Sequence, residues 1–421
     1  MSDVSVAGDL YWDPLDVEID REPYEIWRRL RDEAPVYRND RYDFWALSRF
    51  SDIEAAHRDP VTFCSSHGTV LEMMGPSKSP SEMMIFRDPP EHTRLRSLVS
   101  RAFTPRRIAA LEDHIRELCA ELLEPWEPGE PFDFVEDFGA TLPSMVICEL
   151  LGVPGEDRPW VKDRIDAIFH IEPGVGMIND ISFRAGLDLH GYLVELLAER
   201  AARPGDDLLS GLTQAEIDDG GTRRRLTTKE SANFANLLVS AGTETVARLL
   251  GWAAVVLADH PDQRAALAAD PALVPGAVEE LLRYEAPSPV QGRWTTAAVT
   301  LHGTEIPASS KVLLITGSAG RDERRYPDAD RFDIHRRFDQ HLSFGYGIHF
   351  CLGAALARME GRIAIEEALA RHPSWEVDHQ RSRRLYTSTV RGWSKVVVYD
   401  GGGHGGRNRL GEPGRRTGAS R

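Results

Sequence analysis

The chain has 421 residues, 42% of them hydrophobic and 28% charged, which is enough apolar material for a large buried core. Sixty-six acidic against 50 basic side chains give a formal charge of -16 and disfavour nucleic acid or an anionic membrane as partner. Cys64, Cys119, Cys148 and Cys351 are spaced for neither a disulfide framework nor a zinc site, and Met1 to Asp13 lacks a signal-peptide core, so a reduced cytoplasmic compartment is expected.

In chain order, an amphipathic helix is predicted over 24–31, then short strands over 35–37 and 44–47. Residues 64–86, rich in Ser, Pro, Gly and Met, predict a long loop. Helical periodicity dominates from 91 to about 255. The clearest element is a helix over 227–258. Thr227 and Glu230 have capping-box spacing at its start, and Pro261 should stop it. At 1.5 Å per residue about thirty residues run ~45 Å, the width of the whole molecule. Its apolar part could span a bilayer by length, but Glu244 and Arg248 near the middle make a lipid-facing span costly. A second helix is predicted over 274–284, strands over 299–306 and 311–315, and a further helix after Cys351. Residues 385–399 alternate like strands. The organisation expected is one domain over 1–400 and a disordered Gly/Arg-rich tail over 401–421.

Phe344-Gly345-Tyr346-Gly347-Ile348-His349-Phe350-Cys351-Leu352-Gly353 is the sharpest signal. A thiolate is a metal ligand. At a helix start it meets the positive end of the helix dipole, and Gly345 and Gly347 permit a tight loop whose N–H groups face the sulfur. Ala241-Gly242-Thr243-Glu244-Thr245 lies mid-helix, where small residues leave room for a ligand. A Thr245 hydroxyl could donate a hydrogen bond there, and Glu244 could feed protons through water. Glu244 and Arg248 are i and i+4, in the favourable order for an ion pair; alternatively Arg248 points outward to a neighbouring helix. Glu280 and Arg283 share a helix face, as do His92 and Arg96.

The Cys351 segment resembles the haem-binding loop of the cytochrome P-450 family, and residues 241–245 resemble that family's oxygen-activation segment. The resemblance spans roughly residues 11–399. It implies a mainly α fold with small β-sheets, a single large domain holding haem b between the long central helix and the cysteine-loop helix. It implies Cys351 as iron ligand, Phe344 shielding the sulfur, and Gly345 and Gly353 giving room to loop and porphyrin. His92, Arg96, Arg293 and His349 are implied as partners of the haem carboxylates, and Thr245 with Glu244 as the catalytic pair. Glu280, Arg283 and Arg331 are implied as a buried network behind the loop. The substrate pocket is assigned to Met83, Met84, Ile85, Leu238, Ala241, Val290 and Val390, with Met73 and Met74 nearby. Such a methionine-rich wall suits a bulky hydrophobic small molecule.

The activity implied is insertion of one oxygen atom of O2 into that substrate, by hydroxylation or epoxidation. No redox domain is fused to the chain, so ferredoxin and ferredoxin reductase are the expected electron donors. Arg94, Arg101, Arg106, Arg107, Arg358 and Arg362 form the expected basic docking patch on a protein that acts as a monomer, without membrane or nucleic acid. A peroxide-using haem enzyme and a binding module are the alternatives; Glu244 and Thr245 speak against the first, Cys351 and Thr245 against the second.

Overall fold

The computed structural model describes residues 10–400 apart from 103–104, 171, 173–175, 177–178 and 220. The tail at 401–421 and the side chain of Arg101 lie outside the described residues. Helices dominate, with small sheets at one side, as expected from the periodicity.

The central helix runs Thr228–Asp259. Thr227 caps it reciprocally: its hydroxyl accepts from Glu230 N at 3.1 Å, and the Glu230 carboxylate accepts from Thr227 N at 2.8 Å. From Val246 to Leu257 only Arg248 is polar and every residue is buried, so this part of the helix has cover on every side. Although long and apolar enough to cross a membrane, 78% of its apolar window is buried inside the protein. Pro261 does more than end it: after His260 it opens the next helix, Pro261–Ala269, at a position where its missing N–H costs nothing.

One core cluster joins Leu249, Leu250 and Ala253 of the central helix to Leu281 of the helix Val274–Tyr284 and Ile363 and Ala364 of the helix Ala354–Arg371. A second joins Ala235 and Val239 to the helices Asp180–Ala202 and Leu208–Gln214. A five-stranded sheet carries the N-terminal part, in the order Val36–Asn39, Phe44–Leu47, Lys311–Leu314, Gln291–Thr295 and Phe63–Cys64. Only the pair of Lys311–Leu314 with Phe44–Leu47 is parallel. The expected 64–86 loop contains two single 3-10 turns, Leu71–Met73 and Met84–Phe86, and the expected strand over 299–306 is a hairpin turned at Gly303.

Buried ion networks fasten these layers. Arg283 and Glu280, both fully buried, pair at 2.7 and 2.8 Å, and Arg283 also donates to the carbonyls of Gly320 and Ala329. Gly320 is the residue whose carbonyl Arg283 meets. A Cβ there would lie 2.2 Å from the Arg283 carbonyl oxygen, so the close approach requires glycine. The expected third member, Arg331, is corrected. Its side chain is exposed and pairs with Asp333, while only its carbonyl meets Arg283. Arg336 takes the place instead, donating to Glu280 at 3.1 Å and to the carbonyls of Pro327, Asp328 and Arg331. The turn after Phe332 projects Arg331 outward and returns Arg336 inward. Elsewhere Glu285 accepts from Arg321, Arg391 and Tyr24, and Arg391 donates to the carbonyl of Asp20.

Two stability measurements follow from these networks. Arg336→Ala leaves Glu280 with one fewer cation in a dry site and is expected to lower unfolding free energy in urea by about 1–3 kcal/mol; Arg331→Ala is expected to stay within roughly 0.5 kcal/mol of wild type. Glu360, buried with Oε2 unpartnered, has a carboxyl that burial pushes up to about 8. Against an unfolded value of ~4.3, the folded protein keeps a proton that the unfolded chain releases, so stability falls as pH rises between the two. Glu360→Gln removes that loss. The variant is expected to exceed wild type at pH 8 by a few kcal/mol, at about 1.4 kcal/mol per pKa unit, and to differ least near pH 4.

Candidate active site

The cysteine loop is set by two glycines at φ +67°, Gly345 and Gly347. Side chains would strain both turns, and a Cβ on Gly347 would lie 2.4 Å from the carbonyl oxygen of His57. Cys351 N donates to Phe344 O at 2.9 Å and closes the loop. The following helix starts at Ala354 with Gly353 as its N-cap, so Cys351 sits three residues before the first helical turn and does not open it. The geometry still brings N–H groups near the sulfur: those of Gly353 and Ala354 favour its charged form. Burial nevertheless raises the thiol above its ordinary value, with those N–H groups, Arg96 and Arg358 opposing. A bound metal cation would supply the missing positive charge.

Phe344 packs between Phe350, His341 and the Arg358 guanidinium, whose carbon is 4.5 Å from the ring centre. Glu279 holds Arg358 through bonds of 2.6 and 3.0 Å. Burial raises the Glu279 carboxyl, but bonds from His341 and Arg358 outweigh it and hold it at about 2. Arg362 pairs with Glu112 and Glu366. Two of the arginines expected to form a free basic patch are therefore already matched by carboxylates.

A cluster of nitrogen donors lies beside the loop. His92 is buried with neither ring nitrogen bonded, and its ring is 4.2 Å from that of His349, whose Nε2 is also buried without a partner. Arg293, 5% exposed, donates to Gly292 O and lies against His57. No carboxylate among the described residues pairs with it. Burial, with the neighbouring cations adding to it, lowers His92 to about 4, His57 to about 3 and His349 to about 2, and burial lowers Arg293 to about 10. Arg96 is likewise lowered by burial, with Cys351 opposing. Buried N–H groups without acceptors call for an anion from outside the chain. Porphyrin carboxylates have that charge. A Cβ on Gly353 would meet nothing within 4 Å, the open face that a flat ring needs. The residues fit haem. His57 has no motif to mark it in the sequence; only the fold brings it here.

Across from the loop, Ala241 is exposed although it lies in the middle of the central helix, so this stretch lines a cavity. Thr245 Oγ1 donates to Ala241 O at 3.0 Å, and Thr243 Oγ1 to Val239 O at 2.9 Å. The expected donation by Thr245 is thus already spent on the backbone, one turn back; its lone pairs remain as acceptors. Arg248 turns to Glu244, with Nε 3.1 Å from Oε1, the arginine buried and the carboxylate largely so. The angle is poor for a hydrogen bond, so the contact is mainly one of charge. Burial raises Glu244, and Arg248 pulls it back down. Arg248 is also wedged under Gly392, where a Cβ would lie 2.9 Å from its Cδ.

The wall residues separate. Met84, Leu238, Val290 and Val390 are buried, Met83 is half-buried and Ile85 is partly exposed. Met74 belongs to the N-terminal core against Gly292, and Met73 is exposed. An open cleft of about 220 Å³ runs past Met84 to Leu95, Val99, Asn233 and Phe234, none of which the sequence singled out. Glu82 crosses it to Lys229 at 2.9 Å and to Asn233 at 3.4 Å.

A cysteine loop over a donor-rich cavity, facing a helix with small residues and a Glu-Thr pair, defines a haem-thiolate site. The family model described as Cytochrome P-450 matches residues 74–394, and the chain belongs to that family of monooxygenases, whose cofactor is iron protoporphyrin IX. Among curated relatives, the vitamin D(3) 25-hydroxylase of Pseudonocardia autotrophica is 39% identical over 385 residues, covering 90% of this chain and 94% of that one. Among solved structures, the open cytochrome P-450 EryK from S. erythraea matches with TM-score 0.82 and 39% identity, over 90% of this chain and 95% of that one. CYP109E1 from Bacillus megaterium, in complex with corticosterone, matches with TM-score 0.82 and 31% identity, over 91% and 99%.

The Glu244–Arg248 contact predicts a measurable shift. Arg248→Gln removes the cation that opposes burial, so the Glu244 carboxyl rises further. The inflection assigned to it in the pH dependence of product formed per electron is expected to move to higher pH, with haem content unchanged. Gly392→Ala, which displaces Arg248 without altering its charge, is expected to move it in the same direction.

Proposed function

We propose that this monooxygenase hydroxylates or epoxidises a bulky apolar small molecule of about steroid size, using electrons from a separate ferredoxin and ferredoxin reductase. Cys351 in its buried N–H-lined loop is the observation that carries the reading: as the iron ligand it makes the site a haem-thiolate one. Bound haem would supply the iron chemistry by which one oxygen atom of O2 goes to product and the other, with two electrons and two protons, to water. His92, Arg96, Arg293 and His349 would hold its carboxylates, and Phe344 keeps water from the sulfur. Glu244 takes up a proton at its carboxylate and passes it towards the Thr245 hydroxyl, whose lone pairs are available because its proton goes to Ala241 O. Met83, Met84, Ile85, Leu238, Ala241, Val290 and Val390 exclude water around the substrate. The substrate class draws support from the apolar wall and from what the similar proteins are named for, vitamin D3 and corticosterone. Residues 1–400 act as one haem domain, in the cytoplasm and as a monomer.

The reduced carbon-monoxide complex is expected to show the red-shifted Soret band of a thiolate ligand, and Cys351→His to move it to the position for imidazole and abolish oxygenation. A wild-type band at the imidazole position would overturn the assignment. Thr245→Ala is expected to retain haem and consume electrons, yet form several-fold less product and more peroxide. With Arg358 and Arg362 matched by carboxylates, docking of an acidic ferredoxin falls to the surface around the exposed Arg106. Arg106→Glu is expected to slow reduction, and the rate to fall with ionic strength.

A further inference from the structure

The residues that match the family's haem-carboxylate pattern share their cavity with one that does not. The helix Phe50–Arg58 ends against the cysteine loop, and His57 in its last turn is 4% exposed. Two contacts tie it to the site. Its carbonyl oxygen blocks any Cβ at Gly347, and its ring carbon Cε1 lies 3.9 Å from the place of a Cβ at Gly345. On the other side, Nδ1 is 3.4 Å from Arg293 Nη2. A guanidinium only donates, so Nδ1 accepts and the ring proton resides on Nε2. That Nε2–H is buried and has no partner.

The surroundings repeat the pattern. His92 and His349 present unpartnered ring nitrogens, and Arg293 presents a cation with no carboxylate paired to it among the described residues. Native interiors rarely leave a buried donor unsatisfied, and here several gather in one place. An acceptor shared among them resolves all at once. A filler histidine would need no arginine at its Nδ1 and no open donor at its Nε2.

We propose that His57 is a positioning residue of the haem-carboxylate site: Nδ1 holds Arg293 in the orientation that meets a haem carboxylate, and Nε2–H adds one more donor to the same anion. The inference rests on the haem-binding reading above and extends it to a residue on a separate helix. Arg58, next in sequence, donates to the Tyr346 hydroxyl at 3.0 Å, so this helix end braces the cysteine loop and the carboxylate site together.

The test uses the full chain loaded with haem and follows haem loss to excess apomyoglobin. His57→Leu and His57→Phe keep bulk without nitrogens; His57→Gln keeps an acceptor and a donor. Leu and Phe are expected to lose haem at least tenfold faster than wild type, and Gln to stay within about threefold. Equal retention in Leu, Phe and wild type overturns the proposal, as does loss from Gln as fast as from Leu, which would mean packing alone. Nitrogen-15 NMR of histidine-labelled wild type as the ferrous carbon-monoxide complex needs no variant. The Nε2–H tautomer at His57 is expected, and the Nδ1–H tautomer overturns the proposal. A wild-type chain that takes up no haem overturns the cofactor reading as well, whereas normal wild-type uptake with indifferent variants removes His57 alone.

Discussion

Burying the sulfur of Cys351 is the constraint around which the molecule is organised. A thiolate in a dry environment is unstable unless positive charge or N–H groups surround it. Loop, helix start and neighbouring cations are all arranged to that end. Gly353 and Ala354 turn N–H groups to the sulfur, and Arg96 and Arg358 add charge. The loop can make that turn only because Gly345 and Gly347 adopt positive φ, and Gly347 only because nothing but hydrogen fits against the His57 carbonyl. Behind it, Glu280, Arg283 and Arg336 fix the segment that leads into the loop.

Charge is treated in two opposite ways on the two sides of this loop. Towards the cysteine-loop helix, cations are matched: Arg358 with Glu279, Arg362 with Glu112 and Glu366, Arg116 with Glu366 and Glu367. In the cluster beside the loop, Arg293, His57, His92 and His349 face one another with no carboxylate among the described residues paired to them; Asp88 acts on Arg293 and His92 only from a distance. Matched charge stabilises the chain by itself, or nearly balances its own desolvation. Unmatched buried donors raise the free energy of the empty site, and a cofactor that satisfies them recovers that difference as affinity.

Much of this was legible in the sequence where a local rule governs. The Thr227–Glu230 box, the 274–284 helix and the glycine pattern around Cys351 depend on neighbours a few residues away, and the sequence displays those neighbours. The parts that were not legible depend on distant partners. Arg331 and Arg336 differ in which way irregular backbone sends them, and the resemblance pointed to the wrong one. Arg358 reads as a free cation because Glu279 lies far away along the chain, whereas Arg362 has Glu366 one turn on, a partner its spacing displays, and gains Glu112 only in the fold. Thr245 could donate into the cavity or to the backbone, and only the structure shows the bond to Ala241 O. His57 sits in an ordinary amphipathic helix; its meaning comes wholly from Arg293, 236 positions on.

The contact of Arg391 with Asp20 O joins positions 371 residues apart, and Glu285 and Tyr24 complete the same knot. During translation the first helices emerge long before Arg391 does. Until position 391 has been made, Glu285 has Tyr24 and Arg321 as partners but not the guanidinium that also holds the Asp20 carbonyl. The tether between the segment around Asp20 and the strand Arg391–Lys395 is thus a late event in synthesis, made only after the helices it encloses have been translated.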